Sequence, residues 1–184
     1  MSRAVPWVTQ YASPSLIAGI VRGDRAAGDD PRWPESGAPD RETYAAWCSR
    51  WCGMACLRMA LLARDGAAPS LYELAMGCEE YAAYGPNGLI YRPFAEYAND
   101  KHRLRADVLT DLGPSRLAAE ADAGRLVIAS VHPGIRRPGQ LQQSLRPHAG
   151  DGYGDAPHGR LRPVRRPPGS RAARVTVDPG APSA

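Results

Sequence analysis

The stretch Cys52-Gly53-Met54-Ala55-Cys56-Leu57-Arg58-Met59-Ala60-Leu61-Leu62 lies inside the strongest helical pattern of the chain. From Glu42 to Arg64 the residues Tyr44, Trp47, Trp51, Cys52, Ala55, Cys56, Met59, Ala60 and Leu62 recur at steps of three and four, which predicts a central helix with one apolar face. Gly53 sits badly in such a helix, since an interior Gly costs roughly 1 kcal/mol relative to Ala. The alternative is a regular helix that begins close to Cys52, with a separate short helix before it.

Toward the N-terminus, Val5-Pro6-Trp7-Val8-Thr9-Gln10-Tyr11 reads as a short extended entry segment, because Pro6 disfavours helix at the residue before it and the β-branched residues favour strand. Gly23 to Asp40 is crowded with Gly, Pro and Asp and is expected to be a surface loop. Toward the C-terminus, Gly66 closes the central run. Ser70 followed by Glu73 has the spacing of a capping box and opens a second helix running to about Tyr84. Gly85-Pro86-Asn87-Gly88 is a turn, Leu89 to Asn99 a third helix interrupted near Pro93, Leu104 to Leu109 a strand, and Ser115 to Ala123 a short helix. Leu126-Val127-Ile128-Ala129-Ser130-Val131, bounded by Gly124 and Pro133, has the continuous apolar character of a buried strand. Beyond it only Arg174 to Val177 regains strand character.

A chain of 184 residues suits one domain plus a tail. Its 43% apolar and 23% charged content is ordinary, whereas 19 Gly and 18 Pro point to a part that is not packed. Charge places that part. Residues 1–132 carry 14 basic and 16 acidic side chains, a net −2, while residues 133–184 carry 9 Arg and 3 Asp, a net +6. The front part therefore offers no general field for nucleic acid, and the tail's Arg residues are not interleaved with aromatics that could stack on bases. The division expected is a domain over 1–132 and an Arg/Pro/Gly-rich, largely irregular segment over 133–184. The abrupt change after His132 is also what a shifted reading frame would produce.

No stretch approaches the roughly 20 apolar residues of a membrane span, and the N-terminus has no charged start followed by an apolar run. These features lead to the expectation of a cytoplasmic chain with no membrane partner and with Cys48, Cys52, Cys56 and Cys78 reduced. On one shared helix Cys48, Cys52 and Cys56 form a stripe whose outer sulfurs lie roughly 12 Å apart at 1.5 Å per residue, too far for one zinc ion. No metal or other cofactor is expected. For Cys52 the competing readings are a small core thiol and a nucleophile at a helix start, where the helix dipole and a nearby imidazole favour the thiolate. Trp33, Trp47 and Trp51 either line a groove or pack around the central helix.

Three segments carry a resemblance: Val5-Pro6-Trp7 through Gln10; Cys52-Gly53-Met54-Ala55-Cys56-Leu57 with Met59; and Val127-Ile128-Ala129-Ser130-Val131-His132. Together they resemble the bacterial leader-cleaving branch of papain-like enzymes, cysteine peptidase family thirty-nine and its relatives. The resemblance spans roughly residues 5–132. It implies an α+β, papain-like fold with a helical first lobe and a small, incomplete antiparallel sheet beginning at 104–131, with Cys52 as nucleophile and Gln10 as oxyanion partner. Gly53 would then let a substrate approach the helix start. It further implies a His before an apolar strand as base and an Asp as its orienter. His148 lies nearest the expected place but is followed by Ala-Gly-Asp-Gly-Tyr, and Asp178, before Pro179, lies 30 residues beyond it. His102, His132 and His158 fit less well. The implied activity is hydrolysis of a peptide or protein substrate through an acyl-enzyme. The alternative is an inactive peptide-binding relative or a decayed gene product, and the oligomeric state is not legible.

Overall fold

A computed structural model describes residues 5–110, 113–129 and 173–178, the last in backbone only. The central helical pattern is broken into two helices. Asp40 accepts the Thr43 N–H at 2.7 Å and caps the helix Arg41–Trp47. In chain order the helices are α1 (Ile17–Arg22), α2 (Arg41–Trp47), α3 (Cys52–Asp65), α4 (Leu71–Glu80), α5 (Tyr91–His102) and α6 (Pro114–Asp122). Between α2 and α3 the chain makes a 3-10 turn at Cys48–Arg50, and Trp51 leaves helical geometry at φ −86° and ψ 11°. The short lead-in and a start at Cys52 are thus the arrangement adopted. Tyr44, Cys48, Trp51 and Ala55 all point into one core across the break. Burial of Trp51 and Tyr44, whose rings lie 5.9 Å apart, fixes the angle between the two pieces.

Ser70 and Glu73 close a reciprocal capping box at the start of α4, as their spacing predicts. α4 stops at Glu80 instead of running to Tyr84, because the chain turns through Ala82 at a φ of 53°. Tyr84–Gly85 (β1) and Gly88–Leu89 (β2) then pair around Pro86-Asn87, with Gly88 at φ 101°. α5 is not interrupted at Pro93. That residue occupies the first helical turn, where no N–H is required by the helix.

The sheet is antiparallel, in the order β3 (Arg105–Thr110), β5 (Ala173–Asp178), β4 (Leu126–Ala129). Two strands adjacent in sequence are separated in space by a third from near the C-terminus, Val175 facing Val108 on one side and Ile128 on the other. Among the described residues β4 is consequently an edge strand, and it is only half-buried, which corrects its reading as a buried strand. Its Leu126 and Ile128 nevertheless pack on the core. On β3, Asn99 of α5 donates Nδ2 to the Ala106 carbonyl at 3.0 Å and accepts the Ala106 N–H at 2.6 Å, closing the outer edge of that strand. The architecture is α+β. Of the segment 133–184, only Ala173–Asp178 is among the described residues.

The Gly23–Asp40 segment is more than a surface loop. It forms 3-10 turns at Ala27–Asp29 and Trp33–Ser36 and buries Asp30 completely. Asp30 accepts the Ser13 N–H at 2.8 Å, the Ser13 hydroxyl at 2.6 Å, the Arg32 N–H at 3.0 Å and the Tyr44 hydroxyl at 3.2 Å. Burial pushes its carboxyl up, but these donors outweigh it and hold the group below its ordinary value. The network ties the entry segment and α2 together. Among the described residues, no helix is long and apolar enough to cross a membrane.

Candidate active site

The four thiols meet three kinds of environment. Cys48 and Cys78 are buried, Cys56 is half-buried and Cys52 is exposed. Burial raises Cys48 to about 11 and Cys78 to about 12, and it also pushes Cys56 up, with the charge of Cys52 as a lesser cause. The single stripe expected from the spacing does not exist, because Cys48 lies before the break and faces inward. Among the described residues no group of three or more His, Cys, Asp or Glu side chains could hold a metal ion.

Cys52 is the first residue of α3. That helix start has no side-chain cap and no acidic residue in its first turn, and Ala55 is the first amide bonded back to the chain, to the Trp51 carbonyl at 2.8 Å. The N–H groups before it, which have no backbone acceptor among the described residues, form the positive end of the helix dipole, beside an exposed sulfur. Gln10 arrives from the entry segment. Its Nε2 donates to the Cys48 carbonyl at 3.1 Å, the same carbonyl that the Trp51 N–H approaches at 3.4 Å. One amide hydrogen therefore clamps the turn leading to Cys52, and the second has no acceptor among the described residues.

The β1–β2 hairpin packs over the same helix start. A Cβ on Gly53 would lie 2.4 Å from Leu89 Cδ2, so Gly53 makes room for the hairpin. The Arg50 guanidinium lies 5.2 Å from the ring centres of both Trp47 and Tyr84 and donates Nη2 to the Gly85 carbonyl at 2.8 Å. Tyr84 donates its hydroxyl to the Arg50 carbonyl at 3.3 Å, and its phenol is pushed up by burial, with the charges of Cys78 and Cys52 adding to the effect. Sequence reading missed Arg50, Tyr84 and Leu89 as neighbours of Cys52. The Gly-Pro-Asn-Gly stretch was legible as a turn, but nothing in it indicated that Leu89 would pair with Tyr84 or where the hairpin would pack. The three Trp residues belong to packing: Trp51 is in the core, while Trp47 and Trp33 lie against it.

Of the other sequence-predicted residues, His148 lies outside the described residues, as do His132 and His158. Asp178 ends β5, with its backbone opposite Arg105. His102 is the one histidine among the described residues, and it sits at the far end of α3, where Arg64 donates Nη1 to the His102 carbonyl at 2.9 Å. Twelve residues of helix separate Arg64 from Cys52, roughly 18 Å at 1.5 Å per residue. The fold and site thus define an α+β protein with one exposed thiol at a helix start. No family model, no curated protein and no solved structure matches the chain.

Proposed function

We propose that the chain is a papain-like thiol peptidase that cleaves a peptide bond in a peptide or protein through Cys52. The observation that supports this reading most is selective exposure: of four thiols, two are buried, Cys56 is half-buried, and the one at the uncapped start of α3 is exposed. In the proposed reaction His148 takes the Cys52 proton and the sulfur attacks the substrate carbonyl carbon. The oxyanion that forms accepts hydrogen bonds from the Cys52 N–H and from the second N–H of Gln10. Collapse of this intermediate expels the amine, which takes the proton from His148, and leaves a thioester. Water, deprotonated by His148, hydrolyses the thioester and restores the thiol, while Asp178 orients the imidazole.

A second reading, a peptide-binding module without turnover, draws support from His102, the one histidine among the described residues, whose Nε2 is hydrogen-bonded to the Tyr97 hydroxyl at 2.9 Å. Alkylation with iodoacetamide at pH 6 separates the two. The peptidase reading expects Cys52 to react about tenfold or more faster than a free thiol of ordinary acidity, with the fast phase lost in Cys52→Ala and slowed in His148→Ala. A rate equal to that of an ordinary exposed thiol would leave the binding module as the better account.

A further inference from the structure

The half-buried arginines among the described residues are placed differently. Arg64 and Arg125 face the carboxylates of Asp65 and Glu120, and the Nε of Arg58 is shut off from water. Arg50 has neither a carboxylate partner nor a sealed nitrogen. It makes no ion pair among the described residues, and its hydrogen bond runs from Nη2 to the Gly85 carbonyl at 2.8 Å. A guanidinium carries five N–H hydrogens in a planar fork, with two edges of parallel pairs that share Nη2. Gly85 takes one Nη2 hydrogen, and whichever it takes, one edge keeps both of its hydrogens for a carboxylate.

The fork is also fixed in place. Its carbon lies 5.2 Å from the ring centres of both Trp47 and Tyr84, whose planes stand at 86° to each other, and Tyr84 donates its hydroxyl to the Arg50 carbonyl. An arginine held in this way has already given up the side-chain freedom that binding otherwise takes. Cys52 shares the element that holds Arg50. The hairpin that accepts Nη2 at Gly85 packs Leu89 against Gly53, the residue after Cys52, and Tyr84 pairs with Leu89 across its two strands. The Tyr84 phenol feels the charges of both Cys52 and Arg50. An exposed sulfur and a cation without a carboxylate therefore flank one small hairpin.

We propose that Arg50 is a substrate-binding residue: it takes a carboxylate of the peptide that meets Cys52, either an acidic side chain beside the reacting bond or the peptide's C-terminus. Only the arrival of the peptide at Cys52 rests on the proposed function; Arg50 holds the carboxylate whether or not His148 acts.

Alkylation of the full chain tests the proposal, the Cys52 sulfur displacing iodide from iodoacetate or from iodoacetamide, with the labelled residue identified by mass spectrometry. At pH 8.5 an ordinary thiol is about half ionised, so neither rate requires a base or an acidified thiol, and failure here is separate from failure of the peptidase reading. A thiolate repels iodoacetate and, unassisted, reacts with it no faster than with the neutral amide. Cys52 is expected to prefer iodoacetate about tenfold or more, with a rate that saturates in the millimolar range, and Arg50→Met is expected to lose the preference. The ratio is taken within each variant, so a hairpin loosened by the substitution, which alters both rates, is told apart from a lost carboxylate site. In the parent, protection of Cys52 by acetyl-Ala-Glu-Ala-amide beyond that by acetyl-Ala-Gln-Ala-amide assigns the site to acidic side chains, and protection by acetyl-Ala-Ala-Ala with a free carboxylate assigns it to C-termini. A parent rate with iodoacetate that is linear in concentration and no higher than with iodoacetamide would overturn the proposal, as would an equal preference in Arg50→Met or protection by neither carboxylate peptide.

Discussion

The two ends of α3 present opposite chemistry. At the N-terminal end the helix has no side-chain cap and no acid in its first turn, and Cys52 stands exposed under the Trp47–Arg50–Tyr84 cluster. At the C-terminal end the demands of the backbone are met. Gly66, at φ 75°, donates its N–H to the Leu62 carbonyl, and Arg64 reaches the carbonyls of His102 and Arg103 at the close of α5. The His102 ring packs edge-on against Tyr97, 5.0 Å between centres, and burial, followed by the positive charge of Arg64, pushes its proton affinity down. α3 thus carries an exposed thiol at its uncapped start and meets, at its other end, the close of α5 with an imidazole whose positive charge is disfavoured. The lesson is that a Cys and a His in one domain do not make a dyad. Their places in the fold decide.

The comparison can be sharpened first at the N-terminal end. Gln10→Ala is expected to lower peptide hydrolysis about 10²- to 10³-fold, the usual effect of losing an oxyanion donor, while chloroacetamide alkylation of Cys52 stays within about twofold. Alkylation develops no oxyanion, so equal losses in both assays would reduce Gln10 to a clamp on the Cys48 carbonyl.

A smaller effect is expected from the anchor that holds the entry segment, and with it Gln10, in place. Asp30→Ala strips four donors of a buried acceptor and should destabilise the protein by about 3 kcal/mol in urea denaturation. Because the folded carboxyl sits below its ordinary value, its contribution is present above that ordinary value, near 3.9, and is lost as pH falls through the folded one. Asp30→Asn should therefore flatten the acid limb of the stability profile. A loss below about 0.5 kcal/mol in Asp30→Ala would show that the network only decorates the loop.

The smallest effect belongs to the other end of the helix. Between the ordinary histidine value near 6.5 and the lower folded value of His102, the unfolded chain binds more protons, so stability rises with pH across that window and is complete above it. His102→Phe should remove this slope in a series of denaturation curves from pH 5 to 7.5. An unchanged slope would show that the ring titrates alike in both states.

Much of the helical part is legible locally. The capping box of Ser70 and Glu73, the Gly85–Gly88 turn and the cost of Gly53 in a helix interior each depend on residues within a few positions, and each marks a boundary that forms. Pro93 misleads because its effect depends on where the helix begins: in the first turn it breaks no bond. For the site, the place of Cys52 at a helix start is legible, whereas the bond from Gln10 to Cys48 joins residues 38 apart and has no local signature.

What the sequence determined by itself is the set of elements with short-range causes: the central helix, α4 and its cap, the Gly85–Gly88 turn, and the strands. Only the tertiary structure decided that Cys52 is the exposed thiol of four, that Asp30 is buried under a loop, that Ala173–Asp178 enters between β3 and β4, and that His102 stands at the wrong end of α3 to serve Cys52. Periodicity and caps act over one or two helical turns. Exposure and strand order arise from partners brought together across the chain, and no single segment encodes them.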